Sequence, residues 1–377
     1  MAKKKKQKRN LKLRFCIFFL LSLVVCSTFF FNDTLEVWIN SLINPPISED
    51  VENCELKVHF IDVGQGDSIL VEFPDDKVML VDSGPGSNED DLLTYLNNVF
   101  ATREDRDIDY FVATHQDEDH VGGADVVFDN FNILTFYRPN VYTDDEMDKF
   151  GYSSSQANTC NTACFTTMIE KAYQENCEIF VSERMLNPLF LEDTSEYDVQ
   201  FLSPSESKYT DANNYSPIIL IEYKYRKIML TGDAEIQVEE EVLENYGNIP
   251  GFLQCDILKL GHHGSNTSTS QAFLEAVNPS YVAISVGEGN SYKHPSDEVV
   301  ARVASLVGEQ NIFRTDTMGN IVFGIDADNL VAGRGTIQIT TLKGAIFNIH
   351  IEWWCVVIGI ECILFVIIIT PKKKYKD

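Results

Sequence analysis

Apolar positions fall into two regimes along this 377-residue chain. Each end holds a long apolar block: residues 15–31 carry no charge, and residues 353–370 carry only Glu361. Between them, short runs rich in Val, Ile, Leu and Phe alternate with turn-forming residues. KVHFIDV, DSILVEF and KVMLVDSG, broken by GQG and PDD, read as consecutive hairpin strands. A helical pattern follows over residues 90–100, then a strand over 110–114. Strand patterns recur at 199–202, 218–225, 228–231, 257–260 and 281–286, with helical segments between several of them. Strands and helices alternating over this length predict an α/β fold with a layered sheet. Residues 136–196 are less regular apart from a helical stretch near 166–175, and read either as a loop over a site or as an inert surface insertion.

The terminal blocks read as membrane segments. A run of 17 residues is at the short limit for a spanning helix, but Lys12 and Arg14 extend its reach by snorkelling. Trp353 and Trp354 open the second run as interfacial anchors. The basic flanks MAKKKKQKRN and PKKKYKD lie on the outer sides of the two runs, so the positive-inside rule puts both termini in the cytoplasm and the rest outside the cell membrane. No small-residue cleavage site follows residue 31, and LVVC is a poor lipobox because Val25 is not small, which favours an uncleaved anchor. The expected order is a basic cytoplasmic tail over 1–14, a transmembrane helix over 15–31, a linker over 32–54, a folded domain over 55–345, a second transmembrane helix over 353–370, and a basic tail over 371–377. A carboxylate in lipid costs on the order of a few kcal/mol, so Glu361 is expected to face a partner helix.

Charge narrows the partners. The chain carries −27 overall, and residues 51–345 carry −32, from 18 basic and 50 acidic side chains. That field repels nucleic acid at long range and disfavours a nonspecific DNA-binding role, and is equally compatible with a salt-adapted or well-solvated surface. Five of the nine cysteines fall in the central domain, namely Cys54, Cys160, Cys164, Cys177 and Cys255. Cys160, Cys164 and Cys177 are close enough in sequence for one disulfide in an oxidising compartment. A zinc site there fits less well, because no histidine is nearby.

Histidine placement carries the chemistry. Only seven occur, and five of them fall in three short segments. HQDEDH, at residues 115–120, leaves a strand with His115, Asp117, Asp119 and His120 as four potential ligands, enough to serve two neighbouring metals. Close backbone packing at a helix start explains Gly122 and Gly123 just beyond. Asp233, in LTGDAE, is by itself an ordinary strand-end aspartate. GHHGS, at residues 261–265, again follows a strand, and its adjacent histidines point in different directions, so one can bind metal while the other meets substrate. His294, in NSYKHP, gains its meaning from this company, since strand ends on one edge of a layered sheet are where ligands converge.

In this order the segments resemble the metallo-β-lactamase superfamily, and most closely the hydrolase domain of the ComEC-like competence proteins. The likeness covers residues 56–328 through FIDVGQGDSILVEF, LVDSG, THQDEDHVGG, NNYSPIILIEY, MLTGD, DILKLGHHGSNTS, AISVGEGNSYKHPS and FRTDTMGNIVF. A weaker likeness is to bacterial phosphorylcholine esterases of the same superfamily. The resemblance implies an αββα sandwich, flanked here by one transmembrane helix at each end, with two divalent ions, Zn2+ ahead of Mn2+. It implies that His115 and Asp117, with one histidine of the GHHGS pair, hold the first metal. Asp119, His120 and His294 would hold the second, and Asp233 would bridge the two. His263 is taken as the ligand of the pair and His262 as the substrate-facing group, while Asp82 braces the metal loop. Asp117 stands where the superfamily's usual string has histidine, as in the ComEC-like branch, and the added carboxylate hardens the site, which keeps manganese open. Lys293 stands where the branch tends to have glycine, and a cation there meets an anionic substrate.

The implied function is a membrane-anchored, extracytoplasmic dinuclear hydrolase of phosphodiesters, in nucleic acid or a small molecule. The resemblance implies that two such metals would supply a shared hydroxide as nucleophile towards phosphorus, with Asp119, His262 and Lys293 as the residues that would assist. A membrane-tethered binding or assembly module, or a hydrolase of a carboxylic ester, lactam or thioester, are the alternatives. ComEC-like proteins add a channel of many helices and an oligonucleotide-binding domain. Neither is expected in the residues outside the hydrolase region here, so DNA transport by this chain alone is not expected.

Overall fold

Hairpins appear where the apolar runs place them. The computed structural model describes residues 49–342, apart from 156, 176, 184–196 and 332–333. Both terminal apolar runs and Glu361 lie outside the described residues, and no described helix is long and apolar enough to cross a membrane. Among the described residues, eight strands form one sheet in the order β16 (Arg334–Leu342), β15 (Asn320–Val331), β1 (Leu56–Phe60), β2 (Ile69–Glu72), β3 (Val78–Val81), β4 (Asp107–Val112), β5 (Asn132–Arg138) and β8 (Glu178–Val181). Six more form a second sheet in the order β14 (Ile312–Arg314), β13 (Tyr281–Ile284), β12 (Ile257–Lys259), β11 (Arg226–Leu230), β10 (Ile219–Tyr223) and β9 (Tyr197–Phe201), while β6 (Val141–Tyr142) and β7 (Asn158–Thr159) make a short parallel pair of their own.

The alternation along each strand decides which layer a side chain joins. Leu56, Val58 and Phe60 of β1, with Met79 and Val81 of β3, belong to the same buried cluster as Ile219 and Ile221 of β10 and Ile228 and Leu230 of β11. That cluster is the seam between the two sheets. The intervening residues, Val78, Leu80, Met229 and Leu258, join a second cluster with the apolar faces of helices, among them Leu92 and Leu96 of Glu89–Phe100 and Val238 and Val242 of Ile236–Tyr246. Two sheets packed face to face, with helices on their outer sides, form the expected αββα sandwich. Fully burying each such Leu, Ile, Val or Phe side chain is worth roughly 1.5–3 kcal/mol, so the period-2 pattern fixes the register of every strand that lines the seam.

Three regions differ from the sequence reading. The fold begins inside the expected linker: the helix Glu49–Glu52 has Val51 fully buried, and Val51 and Cys54 lie against Gly324 of β15. Residues 136–196 are not one loop. β5 begins just ahead of them, and with β8 it extends the first sheet in parallel. The helix Ala163–Glu175 then buries Phe165, Met168, Ile169 and Ala172, an i, i+3, i+4, i+7 face. Lastly, β15 and β16 form a long antiparallel hairpin at one edge, where polar residues had hidden the strand period. All five described cysteines are free thiols, so the disulfide considered for Cys160, Cys164 and Cys177 is not formed; Cys160 and Cys164 instead each contact the Thr162 hydroxyl.

Candidate metal centre

Parallel pairing sets the site. β3 pairs with β4 in parallel, as do β11 with β12 and β12 with β13, so the loops that leave these strands emerge at common edges. Asp82 follows β3, His115 follows β4, Asp233 follows β11, His262 and His263 follow β12, and His294 follows β13. Several of these residues have left-handed backbones that side chains rarely adopt: Asp82 at φ 59°, His262 at 48°, His263 at 51° and Lys293 at 63°. Each costs on the order of 1–3 kcal/mol, a strain that collects at functional sites.

HQDEDH is pinned from behind. His120 donates its backbone N–H to Asp117 O at 3.0 Å, while its own carbonyl accepts from Ser83 N at 2.7 Å. The Asp119 carbonyl accepts from Asp67 N at 3.2 Å. A Cβ on Gly66 would lie 2.1 Å from that Asp119 oxygen, so only glycine lets GQGD approach the loop. Gly122 and Gly123 play the same part, since a Cβ would come within 2.4 Å of Gly86 N and 2.6 Å of Ser83 O respectively.

The functional atoms converge on a few ångströms. His120 Nε2 lies 3.3 Å from His263 Nε2 and 3.3 Å from Asp233 Oδ2. His263 Nε2 lies 3.3 Å from the same Asp233 oxygen and 3.4 Å from Asp119 Oδ2. Imidazole nitrogens and carboxylate oxygens gathered this closely are the donor set that a divalent ion takes. His115 is buried, and its Nε2 has no hydrogen-bond partner. Asp117 Oδ2 lies 3.8 Å from it, at the more open side. Among the described residues four groups have ligand atoms close enough to share an ion: His115, His120 and Asp233; Asp119, His120 and His263; Asp67, Asp82 and His120; and Asp67, Asp233 and His263, of which the last two lie on the side closed by Lys259 and Thr114.

The remote ring nitrogens set how these histidines present themselves. Asp82 accepts from Thr114 through both the backbone N–H, at 2.8 Å, and the hydroxyl, at 2.7 Å. It also receives His120 Nδ1 at 2.7 Å. His263 Nδ1 faces the Ser285 carbonyl at 2.9 Å. A carbonyl only accepts, so Nδ1 carries the proton and Nε2 is left to coordinate. Through these contacts Asp82 orients the His120 ring from its Nδ1 side.

Electrostatics follow from burial and crowding. Burial and the neighbouring His120 push His115 down to about 3, which leaves a neutral ligand. Burial opposes charge on His120 and His263 too, but the Asp233 carboxylate and its neighbours outweigh it and hold both well above the usual imidazole range. Burial would raise Asp119 and Asp233; instead the adjacent histidines hold both below the usual carboxylate range. Burial and the nearby Asp119 raise Asp117. A divalent ion entering this cluster replaces protons on histidines already paired with carboxylates.

Two placements differ from the expected partition. His263 groups with Asp119 and His120 rather than with His115 and Asp117, because its Nδ1 is turned to Ser285. His294 joins none of the groups with ligand atoms that close; its ring lies 5.6 Å from that of His262 and stacks with Tyr292. His262 is partly open, with Nε2 3.7 Å from Asp233 Oδ2 and Nδ1 near Thr267 and Glu235. Lys293 is exposed, and among the described residues its ammonium makes no ion pair with the cluster.

Two residues passed over in the sequence belong here. Lys259 is fully buried, with Nζ 2.5 Å from Asp67 Oδ2, 2.7 Å from the Gly232 carbonyl and 3.5 Å from Asp233 Oδ1. Asp67 Oδ1 lies 3.3 Å from His263 Nδ1. A lysine inside the apolar run ILKL and an aspartate ending GQGD were the available signals, since a buried charge requires a partner. Beside the cluster opens a cleft of about 400 Å³, lined in part by Gln65, Asn88, Gln116, Asp117, Asp119 and Tyr292.

Residues 61–288 match the family described as the metallo-beta-lactamase superfamily. The chain is 38% identical over 146 residues to competence protein ComA of Neisseria gonorrhoeae, covering 39% of this chain and 19% of that protein. It is 28% identical over 286 residues to ComE operon protein 3 of Bacillus subtilis (strain 168), covering 71% and 33%. It is 30% identical over 259 residues to recombination protein 2 of Haemophilus influenzae, covering 66% and 26%. The chain thus matches between 19% and 33% of the length of these relatives. With the family match covering residues 61–288, more than half of its length, this chain belongs to the metallo-beta-lactamase superfamily and is related to the ComEC-like proteins.

Proposed function

We propose that this chain is a metal-dependent phosphodiesterase, with nucleic acid as the favoured substrate class. The observation that carries the reading is the meeting of His120 Nε2, His263 Nε2 and Asp233 Oδ2 within 3.3 Å of one another. Asp119, His120, His263 and Asp233 would hold one divalent ion, and His115, Asp117 and Asp233 a second. Such ions lower the pKa of water and neutralise charge on a phosphoryl oxygen. Mixed imidazole and carboxylate donors suit zinc and manganese alike.

The chain's own residues do the rest. Asp82 and Ser285 fix the His120 and His263 rings so that neither must reorganise. His262 stands partly open with Nε2 3.7 Å from Asp233 Oδ2, suited to donate a hydrogen bond or a proton to a departing oxygen. Lys293, outside the cluster, is suited to an outlying phosphate of the substrate. A nucleic-acid substrate is in keeping with relatives named for competence and recombination, whereas the −32 charge of residues 51–345 disfavours broad contact with a duplex.

The membrane assignment belongs to the same proposal, because the apolar runs with outer basic flanks support an anchored domain outside the cytoplasm. Full chain freed of metal and reloaded with Zn2+ or Mn2+ should release nitrophenol from bis(p-nitrophenyl) phosphate and not from lactam or thioester analogues. Turnover confined to a lactam or thioester would overturn the phosphodiester reading. In cells, protease accessibility of the central domain from outside tests the topology, and protection of that domain would reverse it.

A further inference from the structure

Tyr292 has no role in the cluster, yet it is held beside it. Its side chain is 66% exposed, whereas Tyr215 and Tyr223 are fully buried. Its ring lies nearly parallel to that of His294, with planes 10° apart and centroids 5.9 Å apart. The loop beneath it is closed on itself. Asn290 Nδ2 donates to the Gly287 carbonyl at 3.0 Å and to the His294 carbonyl at 2.6 Å, and Asn290 Oδ1 accepts from His294 N at 3.0 Å. An aromatic face is therefore presented to solvent on a braced support, and ordering it on binding loses little entropy.

The same ring lines the cleft that contains Asp117 and Asp119. Among the described residues lining that cleft there is no lysine or arginine; the neutral polar groups are amides and hydroxyls, from Gln65, Asn88, Gln116, Ser87 and Thr162. A cleft that grips a duplex needs cations along the backbone. This one carries three carboxylates, Asp117, Glu118 and Asp119, so it offers a nucleotide no run of phosphate contacts; what it shares with sites for unpaired nucleotides is the aromatic face on which a base stacks.

Resting on the phosphodiesterase reading, we infer that Tyr292 is a specificity-determining residue that stacks on the base of an unpaired nucleotide and so presents its phosphodiester to the cluster. Lys293, next in the chain, exposed and left-handed at φ 63°, follows the platform on the solvent side.

The test compares thymidine 5′-(p-nitrophenyl phosphate) with methyl p-nitrophenyl phosphate, using full chain loaded with one defined metal. Both release the same leaving group, so the ratio of their kcat/KM values isolates the nucleoside. Stacking worth about 1–3 kcal/mol corresponds to roughly 5- to 150-fold in that ratio. Tyr292→Ala should lower the ratio by at least about fivefold, chiefly through KM of the nucleotide ester, while Tyr292→Phe keeps it. A ratio unchanged in Tyr292→Ala, or lowered equally in Tyr292→Phe, overturns the stacking role. Failure of the unaltered, metal-loaded chain to cleave either ester overturns the phosphodiesterase reading itself, and the stacking role with it.

Discussion

Replacing Lys259 by methionine removes one buried charge and nearly preserves the volume of the stem. The Lys259 ammonium stands above the usual lysine range although burial opposes it, because Asp67 and Asp233 outweigh the lost solvent. In the variant, Asp67 is left fully buried with no cation at 2.5 Å, and Asp233 loses its neighbour at 3.5 Å. Breaking a buried pair by removing one partner costs about 3–5 kcal/mol, most of it the penalty on the charge left behind. For a domain of this size that lowers the unfolding midpoint by roughly 6–10 °C. The double variant Asp67→Asn with Lys259→Met removes the stranded charge and should recover at least half of the loss. Thermal unfolding of full chain in a chelator, followed by circular dichroism, reads both values without bound metal. A Lys259→Met midpoint within about 2 °C of the parent, or a double variant no better than the sum of the single ones, would refute the reasoning.

Three further outcomes follow from the same contacts. His59 and Lys57 hold Glu72, against the upward push of burial, at about 2, below its ordinary value of 4.5. A depressed carboxylate stabilises above its unfolded pKa and loses that contribution as pH falls from 4.5 towards 2; with at most about 3 kcal/mol at stake, denaturant titrations of Glu72→Gln should show a flatter decline across that window. Gly66→Ala must push the Asp119 backbone away, so its metal affinity, read by calorimetry, should fall at least about tenfold with only modest change in unfolding midpoint. Metal loading near neutral pH should release protons from His120 and His263, both raised above the usual range, so affinity should weaken as pH falls; an uptake of protons would contradict this.

The sandwich was legible because the strands at its seam alternate cleanly, as in KVHF and IML, and because parallel strands send their ends to common edges. The partition of ligands was not legible. Which of two adjacent histidines turns inward depends on the backbone, and His262 and His263 both adopt left-handed conformations that no periodicity reveals. His263 is aimed by a carbonyl from Ser285, 22 residues further on. Asp233 looked like any strand-end aspartate until His120 and His263 met its oxygen. Lys259 was hidden because an amphipathic lysine within a strand normally reaches solvent, and only the partner contributed by GQGD allows it to stay buried. Polar positions within β15, such as Asp326, concealed a strand whose pairing with β1 runs from Ile321 to Ile325.

Everything proposed for the site depends on cations meeting imidazole and carboxylate at this edge of the sheets. Elemental analysis of full chain, stripped with a chelator, reloaded and freed of excess metal, measures that directly. The account predicts about two equivalents of Zn2+ or Mn2+ per chain, falling to one or fewer in Asp233→Asn, since that carboxylate serves both positions. Retention of no metal by the unaltered chain, or of the same amount by Asp233→Asn, would contradict it.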